Sequence, residues 1–575
     1  MQSVRQACIL ALGALLPLIT GCSGTPAQTP SATATPIKHL IVVVGENVSF
    51  DALFATYRPP AGQSVANLLS KGIVKADGSP GPQAALARQG LATVRGHYEV
   101  TPRIIGTYRH LPRPGTTYAA GQPQWAPDRR FPNDLPNAPF QITRYADWMA
   151  TVGDPVHRFF QMWQQVDGGR HDLFVWVDMT SGEGSRKHSD PRSGTNQGAV
   201  AMGFYNMAAG DAPYFKELAE TYALADNYHQ PIMGGTGANY FALATGDVAV
   251  YLADDGKPAM PPGNQIENPD PRRGSNNWYT QSGYFSGSYT ACADPAAPGV
   301  KAIRGYLARL PYRTFNDGNC EPGAYYLVNN YRPGFTPAGE RRPLGPDQYV
   351  LPPQIAPTIG EALAAKDVSW KWYQGGRRAD GTVGEDYCPI CDPFTHSTAI
   401  MTGALRNNLR SYSEFDGDLA NGSLPAVAFV TPPNQESGHP AYSVISRYEA
   451  FLKQLVSKVE AHPEIWKDTA ILATTDEGGG YYDSGYIQIL DFFGDGTRIP
   501  MIAISPFARK GAVDHTYYDH ASILKFIEMN WGLKPLSARS RDNLPNPLPG
   551  PDVYVPANRP AIGDLTNLFD FGVRK

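Results

Sequence analysis

The chain has 575 residues, of which 42% are apolar and 18% charged, and its formal net charge is −4. This composition is typical of a globular protein, and the length suffices for one large domain or several. The small net charge and the absence of a basic stripe argue against nucleic acid as a partner. The absence of an acidic tail argues against a chaperone-like role.

The first 36 residues have the pattern of an export segment. Arg5 precedes an apolar stretch at 7–20 that is too short to cross a bilayer comfortably, so residues 1–21 are predicted to be a secretory signal. The stretch ends in Ile19-Thr20-Gly21-Cys22, which resembles a bacterial lipobox, with Cys22 as the lipidated N-terminus; ordinary cleavage nearby is the alternative. Residues 22–36 predict a disordered tether. We therefore expect an exported protein, anchored to a membrane by lipid or secreted.

The predicted core begins at residue 37. The apolar run at 37–44 predicts a strand that is buried on both faces. Glu46 and Asn47 follow it directly, and their oxygens suit a divalent cation, although a turn or a helix cap is the alternative. Further along, the pattern predicts a helix, a strand and a second helix at 155–166, 173–177 and 214–225.

The middle of the chain contains a glycine-rich loop and a long irregular region. Residues 233–239 place Thr236 among glycines, and such a loop can present a hydroxyl and N–H groups to a phosphate. It lacks the lysine of a Walker A loop, and glycine-rich turns are common without any ligand. Residues 254–357 are dense in Gly, Pro, Asn and Tyr and predict a loop-rich insertion, followed by a strand at 368–373.

The second half of the chain predicts the rest of the core. Apolar runs at 424–430, 470–473 and 501–504 are expected to be buried strands. Between the first two, residues 444–462 have strong helical periodicity, which predicts a right-handed parallel crossover. A helix at 521–531 follows the last strand. Together these elements predict an α/β fold over 37–575, with a mainly parallel central sheet and helices on both faces.

Polar residues follow the predicted strands, and ligands bind open α/β sheets at the carboxyl ends of their strands. Asp476 and Glu477 follow the run at 470–473, and such adjacent carboxylates repel each other unless a cation or hydrogen bonds compensate. Three glycines come next. The segment could therefore form a metal or phosphate site, and an exposed glycine-rich turn is the alternative. Histidines could donate protons there, although each alone could serve packing; they are His157, His439, His515 and His520.

Four cysteines remain once Cys8 and Cys22 are set aside. In an oxidising compartment the simplest of their three pairings is Cys292 with Cys320 and Cys388 with Cys391. The spacing of Cys388 and Cys391 also suits a redox or zinc site. A zinc site would need a second pair at similar spacing, which the other two cysteines do not supply. A structural disulfide is therefore favoured.

Taken together, these segments resemble the bacterial phosphoesterase family that contains phospholipases C and acid phosphatase A, within the alkaline phosphatase-like superfamily. The matching segments occur in that family's order and span most of residues 37–531. They are residues 37–51, 157–161 with 168–169, 225–228, 234–239, 439–440, 475–483, 505–506 and 514–520.

The resemblance implies a role for each matching residue. The implied ligands of one divalent metal ion are Glu46, Asn47, Thr236, Asp476 and Glu477. Thr236 stands where the family places its nucleophile. His157 and His439 resemble the phosphate-contacting histidines, with His439 as a candidate general acid. Further candidate substrate-binding residues are Asn239, His515 and His520.

The expected function is that of an exported, metal-dependent phosphoesterase with a phosphomonoester or a phospholipid as substrate. Two departures from the family pattern bear on this. Val48 replaces a frequent arginine, and Cys388-Pro-Ile-Cys391 replaces a histidine pair, so that His396 becomes a possible substitute for a phosphate ligand. The altered segment motivates an alternative of another class, a surface lipoprotein that binds phosphate or lipid headgroups with little catalysis.

Overall fold

The structure, a computed structural model, describes residues 32–115, 122, 126–181, 197–278 and 285–572. The predicted signal and Cys22 lie outside the described residues. Of the predicted tether, residues 32–36 are described. There Thr35 donates from its backbone N–H and its hydroxyl to Asn530 Oδ1, at 3.0 and 2.7 Å. Among the described residues, no helix combines the length and the apolar character needed to cross a membrane.

Within the described residues, an eight-stranded sheet forms the centre of the fold. Its strands are β1 (His39–Gly45), β2 (Ala223–Ala225), β3 (Trp370–Gln374), β4 (Leu409–Ser411), β5 (Val427–Thr431), β6 (Thr469–Thr475), β7 (Met501–Ile504) and β8 (Val513–Asp514). Their spatial order is β4-β3-β5-β1-β6-β7-β2-β8. β7 pairs antiparallel with both neighbours, and the other pairings are parallel. The predicted mainly parallel sheet is confirmed.

The sheet is covered on both faces. Alternate residues of β1 enter two different apolar clusters: Ile41 and Val43 on one face, and Leu40, Val42 and Val44 on the other. Residues of several helices belong to each cluster. The helices of the described residues are α1 (Phe50–Phe54), α2 (Phe159–Val166), α3 (Phe174–Thr180), α4 (Pro213–Thr221), α5 (Thr236–Thr245), α6 (Val300–Leu307), α7 (Asn316–Asn319), α8 (Ile359–Ala364), α9 (Thr398–Met401), α10 (Ser413–Ala420), α11 (Ile445–Glu460), α12 (Pro463–Trp466) and α13 (Ala521–Trp531).

The predicted crossover helix is present as α11. Its buried side chains include Tyr448, Leu452, Leu455 and Val459, which share one face of the helix and pack on the side of the sheet that holds Ile41. Residues of α5 and α13 pack on the opposite side, with Tyr240 and Leu524 among them. These helices give the two covered faces that the sequence predicts.

One predicted element is wrong, and another is shorter than predicted. Residues 173–177 were expected to be a strand, but they belong to helix α3, in which Phe174, Trp176 and Val177 are all buried. A short apolar run that is buried on every side has no diagnostic period, so helix and strand cannot be told apart in it. The helix expected at 214–225 ends at Thr221, because the last residues of that run join the sheet as β2.

The region at 254–357 is irregular in its described parts, as expected. It contains α6, α7 and a two-stranded antiparallel pairing of Tyr289–Thr290 with Tyr326–Leu327. The disulfide between Cys292 and Cys320 closes this region on itself. The described residues form three other two-stranded pairings outside the central sheet: Gly90–Thr93 with Arg103–Thr107, His110–Leu111 with Leu135–Pro136, and Phe140–Gln141 with Gly203–Phe204.

Candidate metal centre

The site lies where the carboxyl ends of β1 and β6 meet. These strands are parallel neighbours, and Gly45 is in register with Thr475, so the residues that follow each strand leave the sheet side by side. Asp476 N–H donates to Gly45 O at 3.0 Å, and Asn47 N–H donates to Asp476 Oδ1 at 3.2 Å. The four predicted metal ligands at these two ends are therefore close together, and all are buried: Glu46, Asn47, Asp476 and Glu477.

The glycines after Glu477 allow a second backbone segment to approach closely. Gly479 has a φ of +57°, and a Cβ atom placed there would lie 2.6 Å from the Cβ of Asn47. Asn47 itself has a φ of +49°, a conformation that asparagine tolerates better than most residues. The glycine run is thus required for the fold of the site, and its close neighbour is Asn47.

Thr236 reaches the same site from the start of α5. Its Oγ1 donates to Glu477 Oε1 at 3.2 Å, and the side chain is buried. Gly237 N–H donates to Asn330 Oδ1 at 2.7 Å, which fixes the first turn of the helix. A Cβ atom at Gly234 would clash with the backbone oxygen of Val328, so this loop also needs its glycine.

Asn239, a predicted substrate-binding residue, is used inside the loop that holds Thr236. Its Nδ2 donates to Gly234 O and Gly235 O at 3.1 and 3.2 Å, and its Oδ1 accepts the N–H of Ile232 at 3.0 Å. The whole amide group is therefore engaged by backbone. In this structure Asn239 positions the loop.

Two histidines and a third acidic segment border the carboxylates. Asp154, His157 and His439 each place one potential ligand atom within 4.8 Å of the others. His157 Nε2 lies 4.0 Å from Glu477 Oε1, and the two imidazole rings are 6.2 Å apart between centroids. The two histidines are predicted from the sequence, whereas Asp154 is not. The only local signal for Asp154 was its position three residues before His157.

Both rings have a defined tautomer. Nδ1 of His157 lies 2.7 Å from Pro155 O, and Nδ1 of His439 lies 2.7 Å from Pro440 O. A carbonyl can only accept, so Nδ1 carries the proton in each ring. Burial lowers the pKa of His157 to about 4 and that of His439 to about 3. In the neutral ring each Nε2 carries a lone pair. A bound anion would favour protonation of that nitrogen.

The carboxyl groups of the site have raised pKa values, because burial and neighbouring negative charges disfavour their ionised forms. Burial, together with the charges of Asp476 and Asp154, raises the pKa of Glu46 well above its ordinary range. Burial and the charges of Asp476 and Glu46 do the same for Glu477. Burial raises the pKa of Asp476 to about 7, against hydrogen bonds that lower it. Buried carboxylates that act on one another in this way are stable as anions only with a cation beside them.

The donor set fits a divalent cation. Among the described residues, Asn47 Oδ1, Asp476 Oδ2 and Glu477 Oε2 are buried without a hydrogen-bond partner. Buried polar atoms are normally paired, so three orphaned oxygens in one cluster point to a ligand that accepts lone pairs. Carboxylate, amide and hydroxyl oxygens are hard ligands, which suit such an ion. Glu46, Asn47, Asp476, Glu477 and Thr236 are the residues that would hold it.

The two remaining predicted histidines lie on loops that follow β8. Because β7 is antiparallel, its own carboxyl end faces away from the site, and the chain returns to the correct edge through β8. His520 then donates from Nε2 to Asp476 O at 2.8 Å and accepts at Nδ1 from the hydroxyl of Tyr228. It is fully buried and holds the backbone of Asp476. His515 instead bonds Asp226 and Ser64, at 2.7 and 3.0 Å.

The second predicted disulfide adjoins the carboxylates. Cys388 and Cys391 are bonded to each other, as are Cys292 and Cys320, so both predicted pairings are present. Cys391 Sγ lies 2.8 Å from Glu46 Oε1. A disulfide sulfur carries no proton, so the contact is packing that restricts the carboxylate. His396, the suggested substitute ligand, is buried with its ring edge against Phe241, and neither ring nitrogen has a partner among the described residues.

The chain is similar to curated phospholipases C and acid phosphatases. The non-hemolytic phospholipase C of Burkholderia pseudomallei is 23% identical over 96% of this chain and 62% of its own length. An acid phosphatase of Aspergillus niger is 28% identical over 35% of this chain and 48% of its own length. The chain thus spans less than two thirds of the length of these relatives.

The chain has a partial structural likeness to a solved protein of the alkaline phosphatase superfamily from Vibrio parahaemolyticus. It has 10% identity and a TM-score of 0.26, covering 57% of this chain and 62% of that one. An overlap this loose supports no inference about the present chain. The match to a family model is far more extensive, since the Phosphoesterase model covers residues 37–534 and so includes every residue of the site. The chain therefore belongs to the phosphoesterase family.

Proposed function

We propose that this protein is an exported, metal-dependent phosphoesterase that hydrolyses phosphate esters through Thr236. The observation that carries the proposal is the hydrogen bond of Thr236 Oγ1 to Glu477, inside a cluster of buried carboxylates with unpaired oxygens. A hydroxyl in that place is held against the buried carboxylates that would bind a cation. The names of the relatives and the family match support the same class of reaction.

Each side chain of the site has its own role in phosphoryl transfer. Thr236 Oγ1 passes its proton to Glu477 Oε1, its hydrogen-bond acceptor, and attacks phosphorus, while the alcohol of the ester departs from the opposite side. His439 is the candidate acid that supplies a proton to that alcohol, and His157 binds a phosphoryl oxygen. Water then hydrolyses the phosphothreonine, and Thr236 is regenerated. When bound, a divalent cation would lower the pKa of the threonine hydroxyl and offset charge on the phosphoryl oxygens.

The rigid surroundings of Thr236 matter as much as its hydroxyl. Asn239 and Asn330 hold the backbone on either side of it, and His520 holds the backbone of Asp476. Such fixed geometry lowers the entropic cost of reaching the transition state, because the reacting groups do not have to be ordered in each turnover. A phosphomonoester and a phospholipid headgroup diester both offer the phosphoryl oxygens that this arrangement would bind.

Export is the second part of the proposal. Two disulfides in one chain suit an oxidising compartment, and the lipobox-like segment ending at Cys22 gives a route to a lipid anchor. Mass spectrometry of the mature N-terminus tests this. A diacylated Cys22 supports the anchor, and an N-terminus elsewhere, or an unmodified Cys22, contradicts it.

The test of the reaction compares p-nitrophenyl phosphate with p-nitrophenylphosphorylcholine as substrates of the purified enzyme. Turnover should be lost on chelation of divalent ions and restored when they are returned. Thr236→Ala should lower kcat by about three orders of magnitude or more, on the scale of other covalent catalysts. Thr236→Ser should keep substantial activity, since it retains a hydroxyl.

Thr245→Ala is the matched control. Thr245 is buried at the other end of α5, where its hydroxyl donates to Phe241 O at 2.7 Å. This substitution removes the same atoms from the same helix and should leave kcat within a small factor of the wild type. Turnover that survives both chelation and Thr236→Ala would refute the mechanism. Metal binding by calorimetry without turnover of either ester would favour the headgroup-binding lipoprotein.

A further inference from the structure

A second set of reactive side chains lies on a different loop from the carboxylate cluster. Ser64, His515 and Asp226 form a continuous hydrogen-bonded chain: Ser64 Oγ lies 3.0 Å from His515 Nε2, and His515 Nδ1 lies 2.7 Å from Asp226 Oδ1. The three residues come from separate parts of the sequence, 162 and 289 positions apart in the order Ser64, Asp226, His515. None of them contributes to the phosphoesterase reaction proposed above.

The hydrogen-bond acceptors determine which ring nitrogen of His515 carries the proton. Asp226 can only accept, so Nδ1 of His515 carries the proton and Nε2 presents its lone pair to the hydroxyl of Ser64. This is the tautomer in which an imidazole acts as a general base towards a serine. Burial opposes the charged ring, but the hydrogen bond and charge of Asp226 outweigh it and raise the pKa of His515 above its ordinary value.

Asp226 is fixed in the orientation that this role needs. It is buried, and its Oδ2 accepts from Ala66 N–H and from the hydroxyl of Tyr554, both at 2.8 Å. Arg498 donates to the backbone oxygens of Ala66 and Asp226, at 2.6 and 2.9 Å, which ties the loop of Ser64 to the end of β2. The imidazole is thus held by a rigid, charged support.

The nucleophile of the chain is accessible. Ser64 is exposed to solvent, and the side chain of His515 is 20% exposed. Within the described residues, the backbone N–H groups of Ser64 and Val65 donate to no protein acceptor. The N–H of the residue after a nucleophilic serine is a common donor to the oxyanion of an acyl-transfer intermediate. A surface site of this kind is open to a small ester.

We propose that Ser64, His515 and Asp226 form a second hydrolytic site, which acts on small carboxylic esters independently of the metal centre. Ser64 Oγ bonds to the acyl carbon as its proton passes to His515 Nε2. The ester C–O bond breaks, and the alkoxide takes that proton and leaves as the alcohol. Water then attacks the acyl-serine with His515 as base, the acyl–Oγ bond breaks, and the carboxylic acid and Ser64 are released. Asp226 is a positioning residue.

The test uses the full chain with Thr236→Ala and a chelator present, so that the metal centre cannot react. An alkyl fluorophosphonate is added, and the labelled peptide is identified by mass spectrometry. The expected result is an adduct on Ser64 that falls by about 100-fold in His515→Asn, the scale of general-base catalysis. Hydrolysis of p-nitrophenyl acetate should fall to a similar extent in Ser64→Ala.

Ser79→Ala is the matched control. Ser79 also donates to a carboxylate, Asp77 Oδ1 at 2.6 Å, but no imidazole faces its hydroxyl. This variant should label and hydrolyse as the parent does. Circular dichroism and thermal unfolding of Ser64→Ala establish that it is folded whether or not the chain hydrolyses phosphate esters. No adduct on Ser64, or equal labelling with and without His515, would overturn the proposal.

Discussion

Two carboxylate clusters in one loop have opposite surroundings. Asp476 and Glu477 begin the loop after β6 and have no basic side chain among the groups that shift their pKa values. Asp483 lies seven residues further on and binds the guanidinium of Arg498 with both oxygens, each at 3.0 Å. Asp51 joins this second cluster at 3.2 Å from the same guanidinium. In the part of the chain that the structure describes, no lysine or arginine pairs with the first cluster, whereas the second includes Arg498.

The different surroundings change the pKa values of the carboxyl groups. Burial tends to raise the pKa of Asp483, but the charge and hydrogen bonds of Arg498 outweigh it and hold that pKa below its ordinary value. The pKa of Asp476 is instead raised to about 7 by burial. A third cluster also contains its own guanidinium, since Arg541 binds Asp491, Asp495 and Asp519. Burial nevertheless raises the pKa of Asp495 and of Asp519, as it does for Asp51 in the second cluster. An arginine partner, rather than the direction of the pKa shift, therefore marks the acids that stabilise the fold, and the acids at 476 and 477 remain candidates to bind a cation.

The largest expected effect is on activity when the uncompensated cluster is altered. Asp476→Asn keeps an oxygen that can accept the N–H of Asn47 but removes a charge, so turnover should fall by about a thousandfold. The free energy of unfolding without metal should rise or stay constant, because repulsion among buried carboxylates is relieved. Initial-rate kinetics and denaturation in chelator measure the two quantities. Strong destabilisation of the metal-free protein would contradict the comparison.

The same substitution in the compensated cluster should act on stability. Asp483→Asn leaves Arg498 buried with only part of its partner charge, and breaking a buried ion pair costs about 3–5 kcal/mol. Chemical denaturation at neutral pH measures this loss. The affinity for a divalent ion, measured by calorimetry under conditions where the variant is folded, should be nearly that of the wild type. A loss of metal affinity similar to that of Asp476→Asn would remove the distinction.

The sequence predicted the elements of the sheet better than it predicted these pairings. The strand at 501–504 and the helix at 521–531 are present with the predicted bounds, because hydrophobic period and helix signals are local. The convergence of Glu46 with Asp476 followed from the rule that ligands bind at strand ends. That rule cannot tell that β7 is antiparallel, which depends on long-range pairing.

The partners of the acids could not be predicted for the same reason. Arg498 lies 15 residues after Asp483 but 447 after Asp51, and no local pattern links the three. Asp154 and Ser64 lie in loops without a hydrophobic period, so their places became known only from the packed chain. His520 is predicted to bind substrate, and its ring bonds the backbone oxygen of Asp476, a contact that sequence spacing does not encode.

The two disulfides extend the comparison to covalent links. The bond between Cys292 and Cys320 closes a loop with a sequence separation of 28, so replacing both cysteines with serine should cost about 3.5 kcal/mol of unfolding free energy by the loop-entropy relation. The bond between Cys388 and Cys391 has a separation of 3 and should contribute less, about 2 kcal/mol. Its double serine variant should instead lower kcat/KM, because Cys391 packs on Glu46.

Each double variant is the control for the other. Phosphate-ester kinetics and thermal unfolding are measured for both, with metal present. We expect about a tenfold loss of kcat/KM for the pair at 388 and 391, the size of effect seen when groups behind a metal ligand are removed. Equal kinetics in the two variants would show that the disulfide beside Glu46 does not restrict that carboxylate.

The smallest expected effect concerns His396, a buried ionisable group that belongs to neither kind of cluster. Its ring is buried without hydrogen-bond partners among the described residues, and burial lowers its pKa from 6.5 to about 3. As the pH falls, His396 therefore binds a proton in the unfolded chain at a higher pH than in the folded protein. The wild type should lose up to about 1.4 kcal/mol of stability per pH unit below 6.5, relative to His396→Leu, until the folded ring titrates. Denaturation at several pH values between 7 and 5 measures the difference, with the exposed His97→Leu as control. Parallel curves for wild type and His396→Leu would show that the ring binds a proton as readily in the folded protein as in the unfolded chain.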